Sequence, residues 1–219
     1  KDILDTAESK VFKIAEQRSH GQGPVDISNL LAKAAERIDE LYHSEDAITG
    51  ISTGFADLDE MTSGLQKGDF VIVAGRPSMG KTTLAMNIAE HAAIKSKKAV
   101  LVFSMEMPGE SLAMRMMSSL GHIDQHKVRT GKLHDEDWPR LNSAVEMLSE
   151  ATLYIDDTPS MSPAELRARA RRIARTNKDI GLIVVDYLQL MHVPGFKEGR
   201  VGEITEISRT LKALAKELG

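Results

Sequence analysis

Phe70-Val71-Ile72-Val73-Ala74-Gly75-Arg76-Pro77-Ser78-Met79-Gly80-Lys81-Thr82-Thr83 runs directly into Leu84-Ala85-Met86-Asn87-Ile88-Ala89. An apolar β-type run, a glycine-bearing loop and a helix-like segment follow one another, which is the context a phosphate-binding loop requires. The candidate nucleotide-binding set is Gly75, Arg76, Pro77, Ser78, Met79, Gly80, Lys81, Thr82 and Thr83. Such a loop turns successive backbone N–H groups toward one point, where they add to the positive end of the helix that follows. A triphosphate suits that field. Lys81 is placed to neutralise the β and γ phosphates, and Thr82 offers a hydroxyl to a Mg²⁺ bridging the same oxygens. The competing reading is a plain tight turn; the flanking strand and helix argue against it.

Outward from this stretch, composition sets bounds. The chain has 219 residues, 42% of them hydrophobic, enough for one large domain with an appendage and a buried core. No apolar run is long enough to span a membrane, and Lys1-Asp2-Ile3-Leu4-Asp5 does not open a signal peptide, so a cytoplasmic protein without membrane partners is expected. With no cysteine there are neither disulfides nor thiolate metal sites, and magnesium is the expected metal. A net charge of −4 provides no global attraction to nucleic acid, but it leaves room for a local basic channel.

Leu4, Ala7, Val11 and Ile14 share one face of a short helix, which Ser19-His20-Gly21-Gln22-Gly23-Pro24 separates from the rest. A lone amphipathic helix needs a partner surface, either in this chain or in another subunit. Ile27, Leu31, Ala34, Ile38 and Leu41 mark a second amphipathic segment, and a domain boundary is expected in His43-Ser44-Glu45-Asp46. From Gly50 onward strand and helix alternate, which predicts a parallel sheet covered on both faces. The expected strands are Phe70 to Ala74, Val100 to Phe103, Leu153 to Ile155 and Leu182 to Val185. Ser162-Pro163-Ala164-Glu165 is a capping box with proline at the first helical position, opening a helix to about Thr176. Ile204, Ile207, Leu211, Leu214 and Leu218 line a last helix, after which another strand is expected, so the chain reads as a fragment.

Two acids stand at strand ends. Asp186 closes Leu182-Ile183-Val184-Val185, where a carboxylate can hold a magnesium shell beside the phosphate loop. Glu106 follows Val100-Leu101-Val102-Phe103-Ser104-Met105, where it can orient the water attacking a γ phosphate; it can also simply oppose the dipole of the next helix. Glu90 and Glu110 read as solvated helix acids. Arg167, Arg171, Arg172 and Arg175 fall within an arc of about 140° on one helix, opposite Leu166, Ala170 and Ile173. That face suits nucleic-acid phosphates or an acidic partner, and equally a solvated surface. In Pro194-Gly195-Phe196-Lys197-Glu198-Gly199-Arg200, Lys197 and Arg200 are candidate nucleic-acid contacts on a glycine-hinged loop, with a plain connector as the alternative. Met105, Met107, Met114, Met116 and Met117 read as adaptable core packing.

Thr53-Gly54-Phe55, Leu58-Asp59, Gly64-Leu65, Gly68-Asp69, the phosphate loop, Ser104-Met105-Glu106-Met107 and Asp186-Tyr187-Leu188-Gln189-Leu190 together resemble the bacterial replicative DNA helicases of the DnaB type. The resemblance implies an α/β fold: an incomplete RecA-like P-loop NTPase parallel sheet with helices on both faces, preceded by a helical linker. It implies a linker and oligomerisation helix over 1–20, a helical connector over 21–49 and the ATPase domain over 50–219. It also implies a homo-hexameric ring around single-stranded DNA that binds ATP with Mg²⁺ between subunits, with primase and a helicase loader as partners, in the bacterial cytoplasm at the nucleoid. On that footing Lys81 and Thr82 serve phosphate and magnesium, Asp186 serves the metal and Glu106 activates water. The family's N-terminal collar, glutamine-bearing sensor, arginine finger and principal DNA loops have no counterpart in this sequence. The expected function is thus the nucleotide-binding half of an ATP-driven helicase. A docking module that binds nucleotide structurally and a RecA-type recombinase relative are the alternatives.

Overall fold

A computed structural model describes residues 24–43, 48–177, 179–197 and 199–219. These residues fall into two compact units, divided between Asp46 and Ala47. The amphipathic helix expected over the first eighteen residues lies outside the described residues.

In the first unit, Ile27–Tyr42 forms α1. Asp26 caps it by accepting the Ser28 amide at 2.8 Å, a bond typically worth about 1 kcal/mol. No residue of α1 is buried; Ile27, Leu31 and Ile38 each expose more than half their surface. This second amphipathic segment is therefore a helix with an open apolar stripe.

The second unit holds α2 (Ala56–Thr62), α3 (Lys81–Ile94), β1 (Ala99–Ser104), α4 (Gly109–Gly121), α5 (Gln125–Thr130), α6 (Asp137–Glu150), β2 (Leu153–Asp156), α7 (Pro163–Thr176), β3 (Ile180–Asp186) and α8 (Gly199–Leu218). A 3-10 turn, Leu188–Leu190, follows β3. The sheet order is β2-β1-β3, and both pairings are parallel. Central β1 is buried along its whole length, so its alternating side chains feed two cores. Leu101 and Phe103 join Leu166 and Ala170 of α7 with Ile207, Leu211 and Leu214 of α8. Val100 and Val102 join Met86, Ala89, Ala92 and Ala93 of α3 with Leu112 and Met116 of α4. The chain steps from β1 out to β2 through α4 to α6, then back past β1 to β3 through α7. Two right-handed crossovers in opposite directions require helices on opposite faces, as the two cores show.

The expected strands at 100–103, 153–155 and 182–185 are present as β1, β2 and β3. The expected strand Phe70 to Ala74 is not. That segment joins no ladder among the described residues, and Val71, Ile72 and Val73 are 59%, 68% and 44% exposed. Only Phe70 packs on the α7/α8 core. A β-branched run becomes a strand when a neighbour accepts its amides, and among the described residues no ladder forms with this one.

The capping box is complete. Ser162 Oγ accepts the Glu165 amide, Glu165 accepts the Ser162 amide at 2.9 Å, and Pro163 opens α7. Met105 and Met116 are buried in the two cores, as the packing reading expects.

Candidate active site at the phosphate loop and strand ends

β1 and β3 leave the sheet toward different layers, β1 into α4 and β3 toward α8, so the connections diverge at their C-terminal ends. This is the switch point where α/β sheets bind ligands. Ser104 and Asp186 are register partners at this edge, and the Met105 amide donates to the Asp186 carbonyl at 2.7 Å. Both side chains are buried, Ser104 completely.

The loop Gly75 to Gly80 meets this edge through α3. Gly80 adopts φ +86° and ends the loop in the left-handed region, where a side chain would be strained; α3 then starts at Lys81. Arg76, Pro77, Ser78 and Met79 are exposed, with the Met79 amide donating to the Arg76 carbonyl at 3.3 Å. Lys81 Nζ donates to the carbonyls of Gly75 at 2.9 Å and Arg76 at 3.2 Å, so its ammonium is held over the loop. One residue on, Thr82 Oγ1 donates to Asp186 Oδ2 at 2.8 Å. Residues far apart in sequence thus bring a hydroxyl and a carboxylate, both hard oxygen donors, to one point. That donor set fits Mg²⁺, which takes one or two carboxylates and leaves its other positions to phosphate and water. Thr83, one position further along α3, is exposed.

Glu106 sits at the tip of a turn that Ser104 closes from beneath: Ser104 Oγ donates to the Met107 carbonyl at 2.8 Å and accepts the Met107 amide at 3.2 Å. Asp157, just past β2, accepts the Gly109 amide at 2.8 Å and caps the start of α4. Glu106 itself is exposed. The sequence singles out Glu106 but not Ser104 or Asp157, whose roles depend on where the turn folds.

Two cationic regions gain partners that the sequence does not reveal, and one expectation, a solvated Glu90, is corrected. Arg200 does not present a free cation. Its guanidinium donates to the carbonyls of Gln189 at 2.6 Å and Met191 at 3.1 Å and pairs with Glu203 at 2.5 Å. Lys197 is exposed. The arginine face of α7 is offset only in part: Arg167 and Arg171 share the single carboxylate of Glu217 of α8, leaving Arg172 and Arg175 without an ion pair among the described residues, so the face stays basic. Arg169 lies off that face, bound to Asp156 at 2.6 Å. Glu90 is not solvated. It exposes 5% of its surface and accepts from Ser119 Oγ of α4 at 3.0 Å; burial pushes its carboxyl up to about 7, against the smaller effect of Ser119.

The Thr53-Gly54-Phe55 and Leu58-Asp59 stretches brace the far end of α3. Buried Asp59 accepts the Thr53 amide and hydroxyl, both at 2.8 Å, and the Ser52 hydroxyl at 2.7 Å; Ser52 in turn contacts His91 Nε2 at 3.0 Å. Burial alone would raise the Asp59 carboxyl, but these donors together hold it below the usual carboxylate range. Asp59 thus acts as a structural knot.

A phosphate loop opening α3, with its threonine bonded to the acid at the end of β3, defines a P-loop nucleotide-binding protein of RecA-like fold. The profile of the DnaB-like helicase C terminal domain matches residues 50–219, and the chain belongs to that family. It is 54% identical over 223 residues to the replicative DNA helicase DnaB of Pasteurella multocida, covering 100% of this chain and 48% of that protein. The chain spans about half the length of the curated relatives it matches. Among solved structures it superimposes on an ATPase domain with a TM-score of 0.83 at 31% identity, over 90% of this chain and 69% of that one. A DnaB-like replicative helicase, solved in a study of its interactions with primase, gives a TM-score of 0.78 at 30% identity over 98% of this chain and 51% of that one. Among the described residues no helix is long and apolar enough to cross a membrane.

Proposed function

We propose that this chain is the nucleotide-binding part of a replicative DNA helicase that hydrolyses ATP to move along single-stranded DNA and separate the duplex at the replication fork. The observation that carries this reading is the 2.8 Å bond between Thr82 and Asp186, which joins the phosphate loop to a strand-end acid in a chain of the DnaB-like family. In this reading 50–219 is the motor, 1–20 the linker and oligomerisation helix, and 21–49 the connector. The open stripe of α1 is a second face suited to a neighbouring subunit of a hexamer. Primase and a helicase loader are the proposed protein partners, and the bacterial cytoplasm, at the nucleoid, the proposed location.

The residues divide the work. Loop amides from Gly75 to Lys81 hold the phosphates against the N-terminus of α3. Lys81 exchanges its carbonyl partners for β and γ oxygens and neutralises charge that grows toward the transition state. Thr82 and Asp186 hold Mg²⁺, which when bound supplies further charge neutralisation on the same oxygens. Glu106, aimed from its Ser104-braced turn, orients the attacking water and accepts its proton.

The test is turnover by the full-length protein with and without single-stranded DNA, together with displacement of an annealed strand. DNA-stimulated hydrolysis with strand displacement supports the motor. Hydrolysis unaffected by DNA refutes it in favour of a docking module, and filaments in place of rings point to the recombinase relative.

A further inference from the structure

Arg200 is the cation whose structural role departs most from its sequence reading. After Asp186 the chain makes the 3-10 turn Leu188–Leu190 and runs as a strap through Gln189 to Val193 before the glycine-bearing loop. Arg200, on the first turn of α8, grips two carbonyls of that strap, Gln189 and Met191. Glu203, one turn on, accepts the Val193 amide at 2.7 Å with one carboxylate oxygen and the Arg200 guanidinium with the other. Three charge-assisted bonds therefore tie the strap to α8, at Gln189, Met191 and Val193, and a fourth joins Arg200 to Glu203 within α8. Each is of the stronger kind, because one partner carries a full charge. The strap is also held from below, since Met191 is buried in the core with Ile207, Leu211 and Leu214 of α8. The Val193 amide and the Arg200 guanidinium hold the Glu203 carboxyl below the usual carboxylate range, so the pair stays ionised at neutral pH.

We infer that Arg200 and Glu203 are positioning residues: they latch the strap leaving the Asp186 strand onto α8, so that the strand end and the helix move as one body during nucleotide turnover. This inference rests on the motor reading for its link to turnover, but the latch itself does not. Three of the five guanidinium N–H donors go to two carbonyls and a carboxylate of this chain, which holds the side chain along the strap. A latch and a phosphate contact differ in sign. In a latch, removing the cation or the anion has the same effect; in a DNA contact, removing the anion leaves binding equal or tighter.

The experiment compares Arg200→Ala, Arg200→Lys and Glu203→Gln in the full-length protein, each checked for an unchanged thermal midpoint. Exchange of the Val193 amide accelerates by about tenfold in Arg200→Ala and Glu203→Gln, matching the loss of one charged hydrogen bond. The DNA-stimulated kcat falls by about tenfold in both, the KM for ATP stays within about twofold, and Arg200→Lys recovers part of the loss. The salt dependence of single-stranded DNA binding is the same in all three. If Arg200→Ala flattens that dependence while Glu203→Gln strengthens binding, Arg200 is a phosphate contact and the latch is overturned. Unchanged Val193 exchange overturns it whatever turnover does. A wild-type protein that does not respond to DNA refutes the motor reading, and Val193 exchange still decides the latch. Should Arg200→Ala not fold, Glu203→Gln and Arg200→Lys carry the same comparison.

Discussion

Phe70-Val71-Ile72-Val73-Ala74 and Leu182-Ile183-Val184-Val185-Asp186 have nearly the same composition, and each leads into one half of the candidate nucleotide site. They reach different ends. The second is β3, paired with β1 from Ala99 to Ser104 and finishing in the buried carboxylate of Asp186. The first lies along the surface with its β-branched residues exposed, and the loop it feeds is anchored chiefly by α3 on its other side. Strand propensity is the fit of a side chain to a pleated, half-covered surface, so it yields a strand only where that surface exists. In this chain the acid thus sits on a paired strand, whereas the phosphate loop follows a loosely backed, unpaired run.

The largest effect belongs to the loosely backed half. Lys81→Ala in the intact protein removes the ammonium held over the loop and is expected to lower ATP turnover by at least about 100-fold. Wild-type turnover in that variant breaks the assignment of the loop. On the side of the paired strands Glu106→Gln keeps the size and the turn but cannot take a proton. Nucleotide affinity within about threefold of wild type, with turnover down by roughly 100-fold, is expected from equilibrium binding and single-turnover rates. Equal loss of both would make Glu106 structural.

Hydrogen exchange sharpens the contrast between the two runs. In this chain the amides of Val71 to Val73 should exchange at least about 100-fold faster than those of Ile183 to Val185. In the full-length protein the gap should close if a further strand pairs with the first run. Equal protection already in this chain would mean that the exposed run is as well supported as β3.

Much of this arrangement is legible in the sequence wherever the cause is local. The start of α7 follows from Ser162, Pro163 and Glu165 alone, because both reciprocal bonds lie within four residues. β1, β2 and β3 follow from short apolar runs, and Lys81, Thr82 and Asp186 from motif and spacing. What escapes depends on distant partners. Glu217 lies about 50 residues beyond Arg167, so nothing in the helix itself tells which of its arginines are paired and which are free. Arg200 has the residue type of a phosphate contact and becomes a latch only because the strap passes beneath it. Glu90 is missed because α3 has no solvated face at that point: Met86, Ile88, Ala89, Ala92 and Ala93 are buried around it.

Glu90 also yields the smallest effect, toward the opposite end of the helix from the proposed phosphate loop. Its folded carboxyl titrates near 7, against an ordinary value of 4.5, with burial as the main cause. The folded state therefore keeps a proton that the unfolded chain loses between those values, and stability falls as pH rises from about 4.5 to about 7. At 1.36 kcal/mol per unit the ceiling is about 3 kcal/mol, and relaxation of the surroundings around the charge reduces it to about 1–2 kcal/mol. Glu90→Gln keeps an acceptor for Ser119 and carries no charge, so its stability should match wild type near pH 4.5 and exceed it above about pH 7.5 by that margin. Urea unfolding across this range measures the difference. A gap independent of pH would mean that the far end of α3 is hydrated like its start at the phosphate loop, and the contrast between supported and unsupported parts of the site would then rest on the strands alone.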